Sequence, residues 1–274
     1  MKTIFLTILF SFCVNTTNAQ TLLHVINTDA NEYGIAFISE NLVCFTRSSN
    51  GAKKLMLTSK VNGSWSIPKE APFSVGWDNE YPTFDRTTSR LYFASTRPIK
   101  EGGEILANND IWFVEYQNGN WSTPSHLGGV FSEKGIDSGA FGFGEEIFFH
   151  SDRSGSGLNS VDIYKASIDS QNLIKLSIST DVLDGEVHLF NNGKSMLFMS
   201  SGHNAIGRSD IFLSHLLDDS WTSPISVDTT GLVNTTAWEY SPSLSLDEQT
   251  LYFTRIANGQ ADILEAQIDS LSGF

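Results

Sequence analysis

Apolar residues in this chain fall in runs of four to six, rich in Phe, Tyr, Ile and Val and bounded by Gly, Asn, Asp or Ser. That is the pattern of β-strands joined by tight turns. The runs are organised in a repeat whose copies open on an acid at Glu32, Glu80, Asp137, Glu186 and Glu239, at spacings of 48, 57, 49 and 53. A supersecondary unit copied at about fifty residues marks a solenoid or a propeller. Each copy predicts a short strand after the acid, a turn, and a second strand such as Leu91-Tyr92-Phe93 or Leu251-Tyr252-Phe253. A polar loop and a third strand follow, the latter opened by Asp-Ile at Asp110, Asp162, Asp210 and Asp262. Three copies announce a fourth strand with Trp65-Ser66-Ile67-Pro68, Trp121-Ser122-Thr123-Pro124 and Trp221-Thr222-Ser223-Pro224. Five copies of this unit predict an all-β fold, a single five-bladed β-propeller of four-stranded blades. The fifth copy stops after its third strand, whereas 21–26 has strand character and no partner of its own. Pairing the two is expected to close the ring with an N-terminal strand and remove both open sheet edges.

No linker interrupts the repeat, so 20–274 reads as one domain. The first nineteen residues read differently: Lys2, an apolar run from Ile4 to Val14, then the small-residue site Thr17-Asn18-Ala19. This is the pattern of a secretory signal peptide at 1–19, with a run too short to span a bilayer. The expectation is an exported protein, periplasmic or secreted, with no membrane insertion. Cys13 leaves with that segment, and Cys44 alone makes no internal disulfide. A net charge of -14 repels nucleic acid and anionic membranes. An acidic substrate would therefore need a local cluster of arginines.

The consensus Glu-Tyr-Pro-x-Phe, turn, Leu-Tyr-Phe-x-Ser-x-Arg, Gly-rich loop, Asp-Ile-Trp is clearest from Asn79 to Phe84, Leu91 to Arg97 and Asn109 to Trp112. It resembles the WD40-like repeat of the TolB-type β-propellers and covers nearly all of 20–274. The resemblance implies the propeller fold. It implies no single activity, because relatives of this architecture include protein-docking modules, gating domains of peptidases and lyases of uronic-acid polymers.

Within a propeller, the acid opening each copy and the arginine ending each second strand are expected around one funnel. The acids include Glu80 and Glu239, and the arginines are Arg47, Arg97, Arg153 and Arg255. Their recurrence from copy to copy also fits a structural role, with guanidinium groups bridging neighbouring blades. Departures from the repeat point elsewhere. His150 stands where blade two has Ala94, His188 where blade two has Pro82, and His203 where other blades place arginine. Histidine suits proton transfer near neutral pH, and arginine holds a carboxylate through paired hydrogen bonds. These are parts for β-elimination from a uronic acid. His150 and His188 are candidate bases, and Tyr81 and Tyr240 candidate proton donors. Arg97, Arg153, Arg255, Glu80, Glu239 and His203 would bind substrate. His150, His188 and His203 are also a candidate set for a divalent metal, the alternative being no cofactor. The partner expected is an oligosaccharide, or, for a non-catalytic propeller, a protein or glycan docked at the funnel. Trp77 and Trp238 suit sugar stacking and blade packing equally.

Overall fold

Strands of this protein read as unbroken apolar runs because both of their faces are buried. The computed structural model describes residues 21–270 and 273, except 134 and 156. Residues 1–19, read above as a signal segment, lie outside the described residues. The first strands, Asn31–Ser39, Asn79–Asp85, Asp137–Phe143, Asp184–Phe190 and Trp238–Leu244, are the innermost of five antiparallel sheets. Each sheet continues outward through Leu42–Ser49, Arg90–Ser95, Glu146–Ser151, Ser195–Ser200 or Thr250–Ala257 to a third strand. Innermost strands neighbour one another in chain order, and the last lies against the first. The chain is a five-bladed β-propeller.

Apolar clusters fill the boundaries between blades. In the second strand of blade one, Val43 and Phe45 face blade five beside Ile263, while Cys44 faces blade two beside Leu91 and Phe93. Tyr92, between those two, turns to Phe149 of blade three. Alternate side chains of one strand thus serve two different boundaries.

The outer edge departs from the expected four regular strands. Ser64–Trp65, Asn120–Trp121 and Ser220–Trp221 are two-residue continuations of the hairpin, and the ladder resumes only at Lys69–Glu70, Ser125–His126 and Ile225–Ser226. The intervening Pro68, Pro124 and Pro224 lack the N–H a continuous ladder needs. Among the described residues blade five has three strands, and the expected closing strand is instead a one-turn helix, Leu22–Ile26. Leu22 and Ile26 sit four residues apart on one helical face, both buried against Ile35, Phe45 and Ile263. Asn27 supplies what the missing strand would have given. Its amide nitrogen donates to Ile263 O at 2.8 Å, and its amide oxygen accepts from Ile263 N at 3.1 Å.

Candidate functional site

Each innermost strand carries a bulge at the same level, between Tyr33 and Ile35, Glu80 and Thr83, Ser138 and Phe141, Gly185 and His188, and Tyr240 and Ser243. The bulged residue is left-handed in every blade: Gly34, Tyr81, Gly139, Glu186 and Ser241, with φ between 50° and 57°. Two are glycines, for which this conformation is unstrained. At Gly139 a Cβ would stand 2.5 Å from His150 Nδ1, so no side chain fits. The other three keep side chains where backbone strain is typically of order 1 kcal/mol or more. Tyr81, Glu186 and Ser241 all line one central cavity of about 220 Å³.

The cavity occupies the end of the channel where innermost strands turn into second strands. Its walls include Pro82, Phe84, Phe141, Leu189, Pro242 and Leu244. Beneath it, Tyr33, Tyr81 and Tyr240 pack about the axis, with ring centroids of Tyr33 5.3 Å from Tyr81 and 6.2 Å from Tyr240. Tyr33 OH donates to Glu80 at 2.8 Å, and Lys53 Nζ and Asn109 Nδ2 each reach the other Glu80 oxygen at 2.6 Å. Glu80 is thereby paired and held in place. Glu186 has no ion pair among the described residues, and Ser241 Oγ donates to it at 2.5 Å. Burial, together with the Glu80 charge, raises its carboxyl to about 7, the Ser241 bond offsetting only part. Burial and the same two carboxylates hold the phenols of Tyr81 and Tyr240 protonated, well above the ordinary tyrosine value.

At the rim stands Arg86, exposed and without an ion pair among the described residues. Nearby, burial and then the Arg86 charge press the His188 imidazole down to about 3. His188 Nε2 accepts the N–H of Leu244 at 3.3 Å, which leaves Nδ1–H as its donor.

Of the residues expected to act, Tyr81 and His188 line the cavity, whereas Tyr240, His150 and Glu80 are buried outside its lining. His150 Nδ1 accepts Glu186 N–H at 3.3 Å, and burial lowers its pKa to about 4. The arginines do not converge on the cavity. Arg153 Nη2 bonds Asp137 and Val130 O at 2.7 and 2.8 Å, and Arg97 Nη2 bonds Asn79 and Phe73 O at 2.5 and 2.9 Å. Arg255 joins Glu239 to Val233 O, and Arg47 joins Glu32 to Ile26 O. Each arginine therefore clamps an innermost strand to the segment that leads into its blade. His203 takes that place in blade four, with Nε2 donating to Ile178 O at 2.8 Å. These clamps lie at the opposite end of the channel from the open cavity.

The clamps also correct the register of the repeat. Glu32, Asn79, Asp137, Asp184 and Glu239 pair with equivalent second-strand positions. Glu80 and Glu186 are thus extra acids, one and two positions further along, and His188 corresponds to Thr83 and Ser243 rather than to Pro82. Acids two apart in Asp184-Gly185-Glu186 were the available signal. Arg86, in the turn after the first strand of blade two, carried none. The suggested metal trio is not assembled: His150 lies beside Tyr81, His188 beside Phe141, and His203 beside Phe198 and Phe212. Among the described residues no three His, Cys, Asp or Glu side chains are grouped to hold a metal ion. No helix there is long and apolar enough to cross a membrane.

No family model and no curated protein matches the sequence. Solved structures match the fold. TolB from Acinetobacter baumannii superposes with a TM-score of 0.56 at 14% identity, over 84% of this chain and 51% of that one. Putative TolB from Agrobacterium tumefaciens gives 0.54 at 12% identity, over 88% and 79%. A chain of a nidogen/laminin complex gives 0.52 at 15%, over 84% and 76%. This chain spans about half the length of the Acinetobacter protein. The expected resemblance to TolB-type propellers is thus found in three dimensions, at identities that speak for the fold alone.

Proposed function

We propose that this chain is an exported carbohydrate-active propeller that takes one end of a uronic-acid-containing oligosaccharide into its central cavity and acts on it by β-elimination. The observation that carries this reading is the set Tyr81, Glu186 and Ser241, side chains kept at strained left-handed positions and gathered at the floor of one cavity. A carboxyl raised to about 7 is matched to proton abstraction near neutral pH. The cavity holds about one sugar ring, which favours action at a chain end. Arg86 and the Nδ1–H of His188 would bind the uronate carboxylate, acidifying the proton on C5. Glu186 would take that proton, the C5–H electron pair would form the C4=C5 bond, and the C4–O pair would leave with the oxygen. Tyr81 would protonate that leaving oxygen, releasing water or a sugar alcohol, and Glu186 would return its proton to the phenolate. The role first given to histidine passes to Glu186, because the lone pairs of both histidines are taken by backbone N–H groups.

A second reading is a non-catalytic propeller that binds a glycan in the same cavity, favoured by walls that are mostly apolar. Incubation with a panel of uronic-acid oligosaccharides, followed at 235 nm and by mass spectrometry, separates the two. Elimination gives rising absorbance that Glu186→Gln abolishes. Binding by calorimetry without absorbance or mass change overturns the enzyme and supports the second reading.

A further inference from the structure

Around the Trp-Ser-x-Pro tryptophan, blade four differs from blade two in three side chains, each smaller than its counterpart, and the difference opens a cleft. In blade two, Phe73 packs on Trp121 with ring centroids 4.8 Å apart, and the Arg97 guanidinium covers Phe93 and Trp112 at 5.0 and 5.2 Å. The corresponding rings in blade four are Trp221, Phe198 and Phe212. There His203 replaces Arg97, set against Phe198 and Phe212 at 5.8 and 5.4 Å, and Ile178 replaces Phe73. Imidazole is shorter than guanidinium and isoleucine smaller than phenylalanine. The volume lost is left as an open cleft of about 350 Å³, lined by Trp221, His203, Asn204, Thr222 and Ser223. It is separate from the central cavity, with which it shares no residue.

We propose that this cleft is a second saccharide-binding site, which takes a neutral pyranose on the side of Trp221 that Phe73 would cover in blade two. An indole beside several hydroxyl and amide groups matches a sugar ring, whose axial C–H face is apolar and whose edge is polar. His203 contributes an acceptor when its ring is unprotonated: Nε2–H is committed to Ile178 O, which leaves Nδ1 to receive a sugar hydroxyl. Asn204 holds left-handed backbone at φ 63° and lines the cleft, and its amide carries one acceptor and two donors. Among the described residues no lysine or arginine lines the cleft, which favours neutral over uronate rings. This assignment is independent of the central cavity and of any chemistry there.

The test is a calorimetric titration with cellotriose, xylotriose, maltotriose and β-1,3-galactobiose. Three variants accompany the wild type: Ile178→Phe, which rebuilds the blade-two arrangement, Asn204→Gly, which keeps the left-handed backbone but removes the amide, and Arg86→Ala at the central rim. The expected result is binding of at least one of these saccharides, weakened about tenfold or more in Ile178→Phe and several-fold in Asn204→Gly, and unchanged in Arg86→Ala. If Ile178→Phe does not fold by circular dichroism, Asn204→Gly decides. Absence of binding by all four saccharides, binding untouched by the cleft variants, or loss in Arg86→Ala overturns the proposal.

Discussion

His150 Nδ1 accepts the backbone N–H of Glu186 at 3.3 Å across the boundary between blades three and four. Thr46 Oγ1 does the same for Tyr81 N at 3.1 Å, and Thr254 Oγ1 for Gly34 N at 3.2 Å. His150 is therefore one of three side chains that tie a bulged residue to the preceding blade. His150→Thr should stay within about 1 kcal/mol of wild type at pH 7, whereas His150→Ala, which orphans a buried N–H, should lose about 1–3 kcal/mol. Burial sets the histidine near 4 in the fold against 6.5 unfolded. Its contribution is whole above 6.5 and is lost as pH falls toward 4. Urea melts of wild type and His150→Thr at pH 7 and 4.5 check both points; an equal acid dependence in the two proteins would contradict them.

Glu186 titrates in the opposite sense. Its folded value of about 7 lies above the ordinary 4.5, so its stabilising contribution is complete below 4.5 and is lost as pH rises through 7. Glu186→Gln mimics the protonated acid. The variant should match wild type near pH 4.5 and exceed it at pH 8 by on the order of 2–3 kcal/mol, while losing all turnover. Thermal melts across that range, run beside the 235 nm assay, would expose a failure of either half.

Arg153 reaches Asp137, whose side chain is almost fully buried, at 2.7 Å. Removing the guanidinium strands that carboxylate, and Arg153→Ala should lose about 3–5 kcal/mol. A clamp makes this a stability effect, so any protein that remains folded should bind saccharides as wild type does. Denaturation and calorimetry on one preparation test it.

Arg86 is the converse case, exposed at the rim and without an ion pair among the described residues. Arg86→Ala should leave the melting temperature within about 1–2 °C of wild type. The variant should raise KM for a uronate-terminated substrate about tenfold or more, as loss of a charge-assisted contact does. Unchanged KM would remove Arg86 from the site.

Ring closure rests on Asn27, whose amide makes both hydrogen bonds that a fourth strand would give Ile263. Asn27→Ala should destabilise by about 1–3 kcal/mol, and Asn27→Asp, which keeps one acceptor and loses the donor, by a comparable amount. Hydrogen exchange at Ile263 should rise in both, and its absence would place closure elsewhere.

The propeller was legible in the sequence because its blade is a local object. Strand length, turn residues, the Asp-Ile opening and the Trp-Ser-x-Pro tail recur at a fixed period, and the physics that reads them acts over a few residues. Leu91-Tyr92-Phe93 is apolar throughout because its neighbours on both faces are blades, and five copies leave little choice of architecture. The closing helix was not legible: 21–26 has the same residue types as a strand, and only contact with Ile35, Phe45 and Ile263 selected helical spacing for Leu22 and Ile26.

The candidate site was decided almost entirely by tertiary structure. Recurring acids and arginines suggest a funnel, whereas the fold commits all four arginines, with Glu32, Asp137 and Glu239, to clamps that tie an innermost strand to the segment before it. His150 looked like an exception to the repeat, yet it does for Glu186 what threonine does for Tyr81 and Gly34. Which acid is free depends on register, and register follows from bulges invisible in a linear pattern. The sequence alone thus determined the repeat, the strand types and the five-bladed ring. Which residues meet in the central cavity depends on the bulges and on packing between blades distant in the chain, and only the tertiary structure decided it.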